Sequence, residues 1–129
     1  MIIMNYLPTQ KYREANLKIK SENDNPYEIV LDVLNELRNN IATLAYCFET
    51  DSGIFDIRSK SFSKSLTAIY ILQKSLDFDK GGDIANNLFD LYEFCRKSLL
   101  SGYKEKSYDK ISKILPVVDN ILDAWKGIK

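Results

Sequence analysis

Hydrophobic residues recur at intervals of three and four along most of the chain, the spacing that places side chains on one face of an α-helix. The pattern predicts four helices, at about 26–49, 56–76, 83–101 and 107–128, joined by short connections. Few alternating runs typical of β-strands interrupt it. The sequence therefore predicts an all-α fold, an antiparallel four-helix bundle around one hydrophobic core.

Capping residues mark the helix ends. Asn25 is a favourable N-cap, Pro26 suits the first helical position, and Glu28 stands three residues after the cap, as a capping box requires. Gly102 is expected to take the left-handed conformation that ends the third helix. Pro116 lacks an amide hydrogen, so we expect a kink in the fourth helix or a break near Leu115.

The first 25 residues have a weaker pattern. Apolar residues are scattered among polar ones there, and the segment ends in the turn-prone sequence SENDNP. We therefore expect a mobile N-terminal arm at 1–25 and a single bundle domain at 26–129.

Several apolar residues extend beyond the face that each helix needs for the core. The arc of the first helix widens to about 200°, more than one packing neighbour needs. On the third helix, the predicted core face holds Ile84, Leu88, Leu91, Tyr92, Cys95 and Leu99. The residues left without a clear core position are Ile29, Val33, Ile71, Phe89, Phe94 and Leu100. They are candidates for contact with an amphipathic partner helix, and ordinary core packing is the alternative at each single position.

Charge and hydropathy limit the partners. Lysine plus arginine equals aspartate plus glutamate, at 18 each, so no basic groove is available to accompany the eight tyrosines on nucleic acid. The apolar start MIIMNYL stops at Pro8, too short for a signal peptide or a membrane span. We expect a cytosolic protein that neither binds nucleic acid nor inserts into a membrane.

The residue types present also limit the chemistry. Without histidine, mixed zinc sites, phosphotransfer histidines and di-iron motifs are excluded. Gly81 and Gly82 lack the spacing of a phosphate loop and are interpreted as a sharp link between two helices. Cys47 and Cys95 are expected to be reduced, buried thiols, and a depressed thiol pKa at either would indicate an enzyme. We expect no metal, no cofactor and no catalysis.

Three stretches of the sequence share the pattern of one known family. They are NPYEIVLDVL at 25–34, KSLTAIYILQKSLDFDKGGDIANNLFDLYEF at 64–94 and ILDAW at 121–125. The middle stretch is the most specific, because a leucine and aspartate pair leads there to KGG, an acidic residue, IA, NL and LY. Together the stretches resemble the FliS family, the export chaperones of bacterial flagellin, over nearly the whole chain.

The resemblance implies a cytosolic chaperone that holds the C-terminal region of flagellin as helices against the bundle and so blocks filament assembly before secretion. It implies the cytosolic domain of the flagellar export gate as a second partner. It also adds Tyr12 to the client-contact candidates, because Tyr12 resembles an arm tyrosine that helps to cap the binding surface. The free protein is expected to be a monomer or a homodimer, since apolar surface kept for a client also pairs with itself.

One departure from the family pattern leaves the client open. Family members commonly have an aromatic residue, an acidic residue and a small glycine in the first helix, where this chain has Leu34, Asn35 and Glu36. The alternative function is a diverged chaperone or adaptor that binds an amphipathic segment of a different client.

Overall fold

A computed structural model describes residues 25–51 and 55–128. They form five helices, which we number α1 Pro26–Glu49, α2 Phe55–Lys74, α3 Phe78–Glu105, α4 Tyr108–Ser112 and α5 Ile114–Ile128. The short α4 and α5 follow one another and together take the place of the predicted fourth helix. The predicted all-α bundle is confirmed. Tyr12 and the predicted arm up to residue 24 lie outside the described residues.

None of the helices within residues 25–51 and 55–128 combines the length and the apolar character that crossing a membrane requires.

The bounds of α1 agree with the prediction. Asn25 Oδ1 accepts a hydrogen bond from the Tyr27 amide at 3.0 Å, and Pro26 occupies the first helical position. At the other end, the Thr50 amide and the Thr50 hydroxyl both donate to the Tyr46 carbonyl, at 3.1 and 2.8 Å. These bonds satisfy backbone groups that have no partner inside the helix.

α1 has two sets of neighbours: it packs against α2, and it packs against the consecutive helices α4 and α5. At one end of the α1–α5 contact, the Tyr27 ring stacks on Trp125 with centroids 5.7 Å apart, and Trp125 Nε1 donates to the Tyr27 carbonyl at 3.0 Å. Further along, Arg38 Nε donates to Asp119 Oδ1 at 2.7 Å. The first turn of α1 contacts the end of α5, and a later residue of α1 contacts an earlier residue of α5, so the two helices are antiparallel.

The two sets of neighbours of α1 explain its wide apolar arc. Ile29 and Val33 are 1% and 0% exposed and belong to the main core cluster. The interpretation that these two residues have no core position is therefore wrong. A helix that packs on both flanks needs an apolar arc of about 180°, whereas a single stripe of about 100° serves one neighbour.

The register of α2 against α3 is fixed by two contacts. Gln73 Nε2 donates to Glu93 Oε1 at 3.0 Å, and the Phe62 ring stacks on Tyr103 with centroids 3.9 Å apart. These pairs show that α2 and α3 are also antiparallel. α2 ends slightly before the predicted position, and Leu76 is buried just beyond its end.

α3 begins earlier than predicted and bends near its start. Asp77 is its N-cap, with the side chain accepting from the Lys80 amide at 3.0 Å. Gly82 has φ 51° and ψ −129°, a backbone conformation that suits glycine and interrupts the helix. Gly81 is buried in the preceding turn. The predicted positive-φ link therefore rests on Gly82, and Gly81 contributes to packing.

The predicted end of α3 at Gly102 is wrong. The helix continues to Glu105, and the left-handed residue is Lys106, with φ 54°. The Ser107 amide then donates to the Gly102 carbonyl at 2.9 Å, which completes a Schellman-type ending. Gly102 serves close packing instead, because a Cβ built there would lie 2.7 Å from Cδ1 of Ile111.

The expected break in the fourth helix is confirmed. α4 ends at Ser112 and α5 begins at Ile114, so the break precedes Leu115. Pro116 then lies in the first turn of α5, where an amide hydrogen would have no partner inside the helix. Ser107 caps α4, since its hydroxyl accepts from the Lys110 amide at 3.2 Å.

Candidate functional site

α3 exposes six large apolar side chains, although it also contributes to the core. Because each is 37 to 56% exposed, burying the remainder against a partner would stabilise a complex by about 1 kcal/mol per side chain before entropic losses. Exposed apolar side chains concentrated on one helix are typical of a surface that binds another protein. The six are Phe78, Ile84, Phe89, Leu91, Phe94 and Leu100.

Two contacts show how α3 is turned within the bundle. Tyr103 packs on Phe62, so this side of α3 faces α2. Gly102 lies against Ile111, so that side faces α4 and α5. Because successive residues are about 100° apart around a helix, the other exposed residues can be assigned to one side or the other.

The first group, which we call the α5-side strip, consists of Ile84, Leu91 and Phe94. Ile84 precedes Gly102 by eighteen residues, about five full turns, and so points in the same direction. Leu91 lies within about 20° of Ile84. Phe94 precedes Ser101 by seven residues, and the Ser101 hydroxyl accepts from Lys110 Nζ of α4 at 2.9 Å. The strip therefore lies along the side of α3 next to α4 and α5.

The prediction that Ile84 and Leu91 are core residues is wrong, since they are 56% and 41% exposed. The core side of α3 is centred on Ala85, Tyr92 and Leu99, all of which are fully buried. Ile84 and Leu91 are displaced from that centre by about 80 to 100° and fall at its edge. Leu88, which lies between them in sequence, is half-buried against the core.

The second group, the α2-side strip, consists of Phe89 and Leu100. They are eleven residues apart and so differ in direction by only about 20°. Leu100 stands about 60° from Tyr103, on the side of α3 that faces α2. Phe89 makes an edge contact with Phe78, with centroids 5.9 Å apart. This pair extends the strip to the start of α3.

The structure brings together only part of the predicted set. Phe89 and Leu100 share a strip, while Phe94 lies on the opposite side of α3. Ile71 is half-buried on α2 and packs against the core. It stands about 160° from Gln73, the α2 residue that bonds to α3, and so points away from both strips.

Ile84 and Leu91 were missed as surface residues because their spacing is identical to that of a core face. Periodicity identifies a common face of a helix without indicating what covers it. Ile29, Val33, Ile71, Phe89, Phe94, Leu100 and Tyr12 remain predicted client contacts that no observation here tests.

An apolar cavity of about 290 Å³ lies at one end of the bundle. Phe48 and Tyr103 form part of its wall, and the Arg58 guanidinium lies over the Phe48 ring, 5.4 Å from the centroid. Phe55 and Lys106 complete the lining given by the described residues. A cation over an aromatic ring is a common packing arrangement and indicates no reaction.

A second cavity, of about 280 Å³, begins at Phe94 of the α5-side strip. Apart from that ring, the residues that line it are lysines and serines. The residues that line it are Phe94, Lys97, Ser98, Ser101, Lys110 and Lys113. No carboxylate is found among the described residues of this lining.

The two thiols were the candidates for nucleophilic chemistry. Cys47 and Cys95 are both buried and not joined in a disulfide. Burial raises the pKa of Cys95 to about 12. A thiol with so high a pKa is protonated at neutral pH and is a poor nucleophile. The depressed pKa that would have indicated an enzyme is therefore not found at Cys95.

Comparison with known proteins gives consistent results. A family model described as Flagellar protein FliS matches residues 8–129. The chain is similar to the Flagellar secretion chaperone FliS of Salmonella typhimurium, with 26% identity over 118 residues, which cover 91% of this chain and 86% of the relative. It is also similar to the protein of the same description from Campylobacter jejuni, with 35% identity over 68 residues, 52% of this chain and 53% of the relative. A Vibrio cholerae relative of that description is 26% identical over 76 residues, 59% of this chain and 56% of the relative.

Proposed function

The chain belongs to the FliS family of flagellar proteins, and we propose that it is a secretion chaperone that binds the C-terminal region of flagellin in the cytosol. The observation that carries the proposal is the pair of exposed apolar strips on α3. An amphipathic helix lays residues spaced by three and four into an apolar surface. The strips offer two such surfaces on one helix of a stable bundle.

The α5-side strip fits a client helix particularly well. Ile84 and Leu91 share one direction over two turns, and Phe94 extends the apolar surface toward α4. Half-buried Leu88 supplies a continuous apolar floor between them. A disordered client segment that folds on this surface would bury apolar side chains of both partners, which offsets the entropy lost on ordering.

The described residues give no support to an enzymatic function. Cys95 has a raised pKa, and the cavity lined by Phe48 and Tyr103 places a cation over an aromatic ring with no nucleophile among the described residues of its lining. We therefore propose binding without catalysis, with delivery of the client to the cytosolic domain of the export gate as the later step.

We propose that residues 1–25 cover part of the apolar surface in the free protein, with Tyr12 as a contact, and that flagellin displaces them. Covering exposed apolar groups lowers the tendency to aggregate and reduces affinity for the client, because the cover must first be removed.

Calorimetric titration of a flagellin C-terminal peptide, taken from the same genome, into the full chain tests this function. We expect saturable binding that Leu91→Asp weakens at least about tenfold, since a buried carboxylate would replace an apolar anchor. Ile57→Asp is the matched control, because Ile57 on α2 is 43% exposed against 41% for Leu91 and lies on neither strip.

No binding of the flagellin peptide by the folded wild-type chain would contradict the proposal. If a different amphipathic peptide bound with the same sensitivity to Leu91→Asp, the alternative of a diverged chaperone with another client would replace it. Ile29→Asp is unsuitable as a binding probe, because it would place a charge in the core.

A further inference from the structure

A row of charged residues runs along the outer surface of α3, between the two strips. The four residues are spaced by seven, and all are exposed. A spacing of seven drifts by only about 20° per step, so the row stays on one side of the helix. Its members, in order along α3, are Asp83, Asp90, Lys97 and Lys104.

The sign of the charge changes halfway along this row. Asp83 and Asp90 adjoin Ile84 and Leu91 in the sequence. Lys97 follows Phe94 by about one turn, and Lys104 has drifted toward the α2-side strip. Lys80 belongs to the turn before the bend at Gly82 and so does not continue the row on the acidic side. The strip therefore has one acidic end and one basic end.

The second cavity strengthens the basic end. Lys110 and Lys113 join Lys97 there, around the exposed ring of Phe94. Lys110 also donates to Glu105, which holds the pKa of the Glu105 carboxyl below its usual range. The Lys110 ammonium group is thus matched by the Glu105 carboxylate. Lys97 and Lys113 give the lining of this cavity an excess of positive charge.

We propose that this change of sign selects the direction in which a helical client lies on the α5-side strip. Its carboxylates lie beside Lys97 and Lys113, and its cations lie beside Asp83 and Asp90. The occupant is an amphipathic helix of about 20 residues, because the row from Asp83 to Lys104 extends about 30 Å at 1.5 Å per residue. This inference rests on the proposed function, since it specifies the client of the same surface.

Electrostatic complementarity is suited to this task. Charges at the rim of an interface contribute modestly to affinity, and they discriminate strongly between orientations, because the wrong orientation places like charges together. The apolar strip alone presents no charge to either end of a client helix, so it distinguishes the two directions less well. Direction matters for a chaperone, because it determines which end of the client leaves the surface toward other partners.

Two synthetic amphipathic peptides of the same composition test the proposal. In one, all glutamates lie in one half and all lysines in the other; in the second, the same residues alternate. We expect the full chain to bind the segregated peptide about tenfold more tightly in low salt, as measured by fluorescence anisotropy. The difference should shrink in high salt, because exposed charges are screened.

Charge reversal at the basic end provides the second measurement. Lys97→Glu with Lys113→Glu should bring the two peptides to nearly equal affinity. The matched control is Lys60→Glu with Lys74→Glu, which changes net charge equally at exposed positions on α2. Circular dichroism establishes that both variants are folded.

The direction itself is read from a quencher attached to Asn86→Cys, an exposed and uncharged position at the acidic end that is turned about 140 to 160° away from Ile84 and Leu91. Labelling is selective because Cys47 and Cys95 are buried. We expect stronger quenching of a fluorophore on the lysine-rich end of the segregated peptide than on its glutamate-rich end.

The inference would be overturned if the two peptides bound with equal affinity or if neither bound. It would also be overturned if the two charge reversals had equal effects, or if both ends of the segregated peptide were quenched equally. Two further outcomes distinguish a failure of this inference from a failure of the proposed function. A flagellin peptide that binds without sensitivity to Lys97→Glu and Lys113→Glu would leave the function intact and reject the charge selection. A segregated peptide that binds as expected while the flagellin peptide does not would reject only the function.

Discussion

At the scale of single residues, Gly102 shows how a glycine contributes through the absence of a side chain. An added Cβ would lie 2.7 Å from Cδ1 of Ile111 and 3.1 Å from Cβ of Lys110. We expect Gly102→Ala to lower the free energy of unfolding by about 1 to 2 kcal/mol, because crowding exceeds the gain of about 1 kcal/mol in helix propensity. Urea unfolding measures the change.

Gly127 is the matched control for this substitution. It also lies in a helix, and a Cβ built there meets nothing within 4 Å. Gly127→Ala should leave stability unchanged or raise it by at most about 1 kcal/mol. A Gly102→Ala variant as stable as Gly127→Ala would contradict the packing that we describe between α3 and α4.

At the scale of elements, α2 and α3 are linked through Glu93. Its carboxylate accepts from Arg96 Nε at 2.8 Å and from Gln73 Nε2 at 3.0 Å. Hydrogen bonds first from Arg96 and then from Gln73 lower the pKa of Glu93 from 4.5 to about 2. The folded state thus binds a proton here less readily than the unfolded state does.

The sign of the pH dependence follows from this difference. The stabilisation from Glu93 is fully present above the unfolded pKa of 4.5 and is lost as the pH falls from there toward about 2. We expect Glu93→Gln to lose less stability between pH 5 and pH 3 than the wild type, as measured by chemical denaturation. A direct check is NMR titration of Glu93, whose midpoint should rise when Arg96→Gln removes the main donor.

The sequence predicted the bounds of most helices well, and it predicted the contacts between helices less well. The bounds of α1 followed from Asn25 and Pro26, because caps act locally. The break before α5 followed from Pro116 for the same reason. The end of α3 did not, because the glycine at 102 is required by Ile111, a contact made across the fold.

The candidate surface was predictable only in part. Phe89, Phe94 and Leu100 were recognised as lying off the core face, and each is exposed. Ile29 and Val33 were assigned to the same class, although α1 buries them between two sets of neighbours. The period of a helix gives the direction of each side chain; the number of neighbours that cover the helix depends on the tertiary arrangement.

At the scale of the whole molecule, the two strips lie on opposite sides of α3. A single client segment that covers both must therefore cross the outer surface of α3 or pass around one of its ends. The same exposed surface is the source of the expected choice between monomer and homodimer.

Removing the proposed cover tests this surface directly. We expect deletion of residues 1–20 to raise the binding of a hydrophobic dye, because apolar groups of the strips become accessible. The increase should disappear when the truncated chain is saturated with the flagellin peptide. Unchanged dye fluorescence on deletion would contradict the cover, and an increase that persists in the saturated complex would show that the newly exposed surface is not the one that the client occupies.

The stacked pair formed by Tyr27 and Trp125 has a spectroscopic consequence. Trp125 is the chain's single tryptophan, it is 1% exposed, and it joins the start of α1 to the end of α5. Its emission therefore reports one event, the separation of these two helix ends. A titration that leaves the indole emission unchanged while a dye is displaced from α3 would identify capture by an intact bundle, and a red shift would reveal that the bundle itself opens.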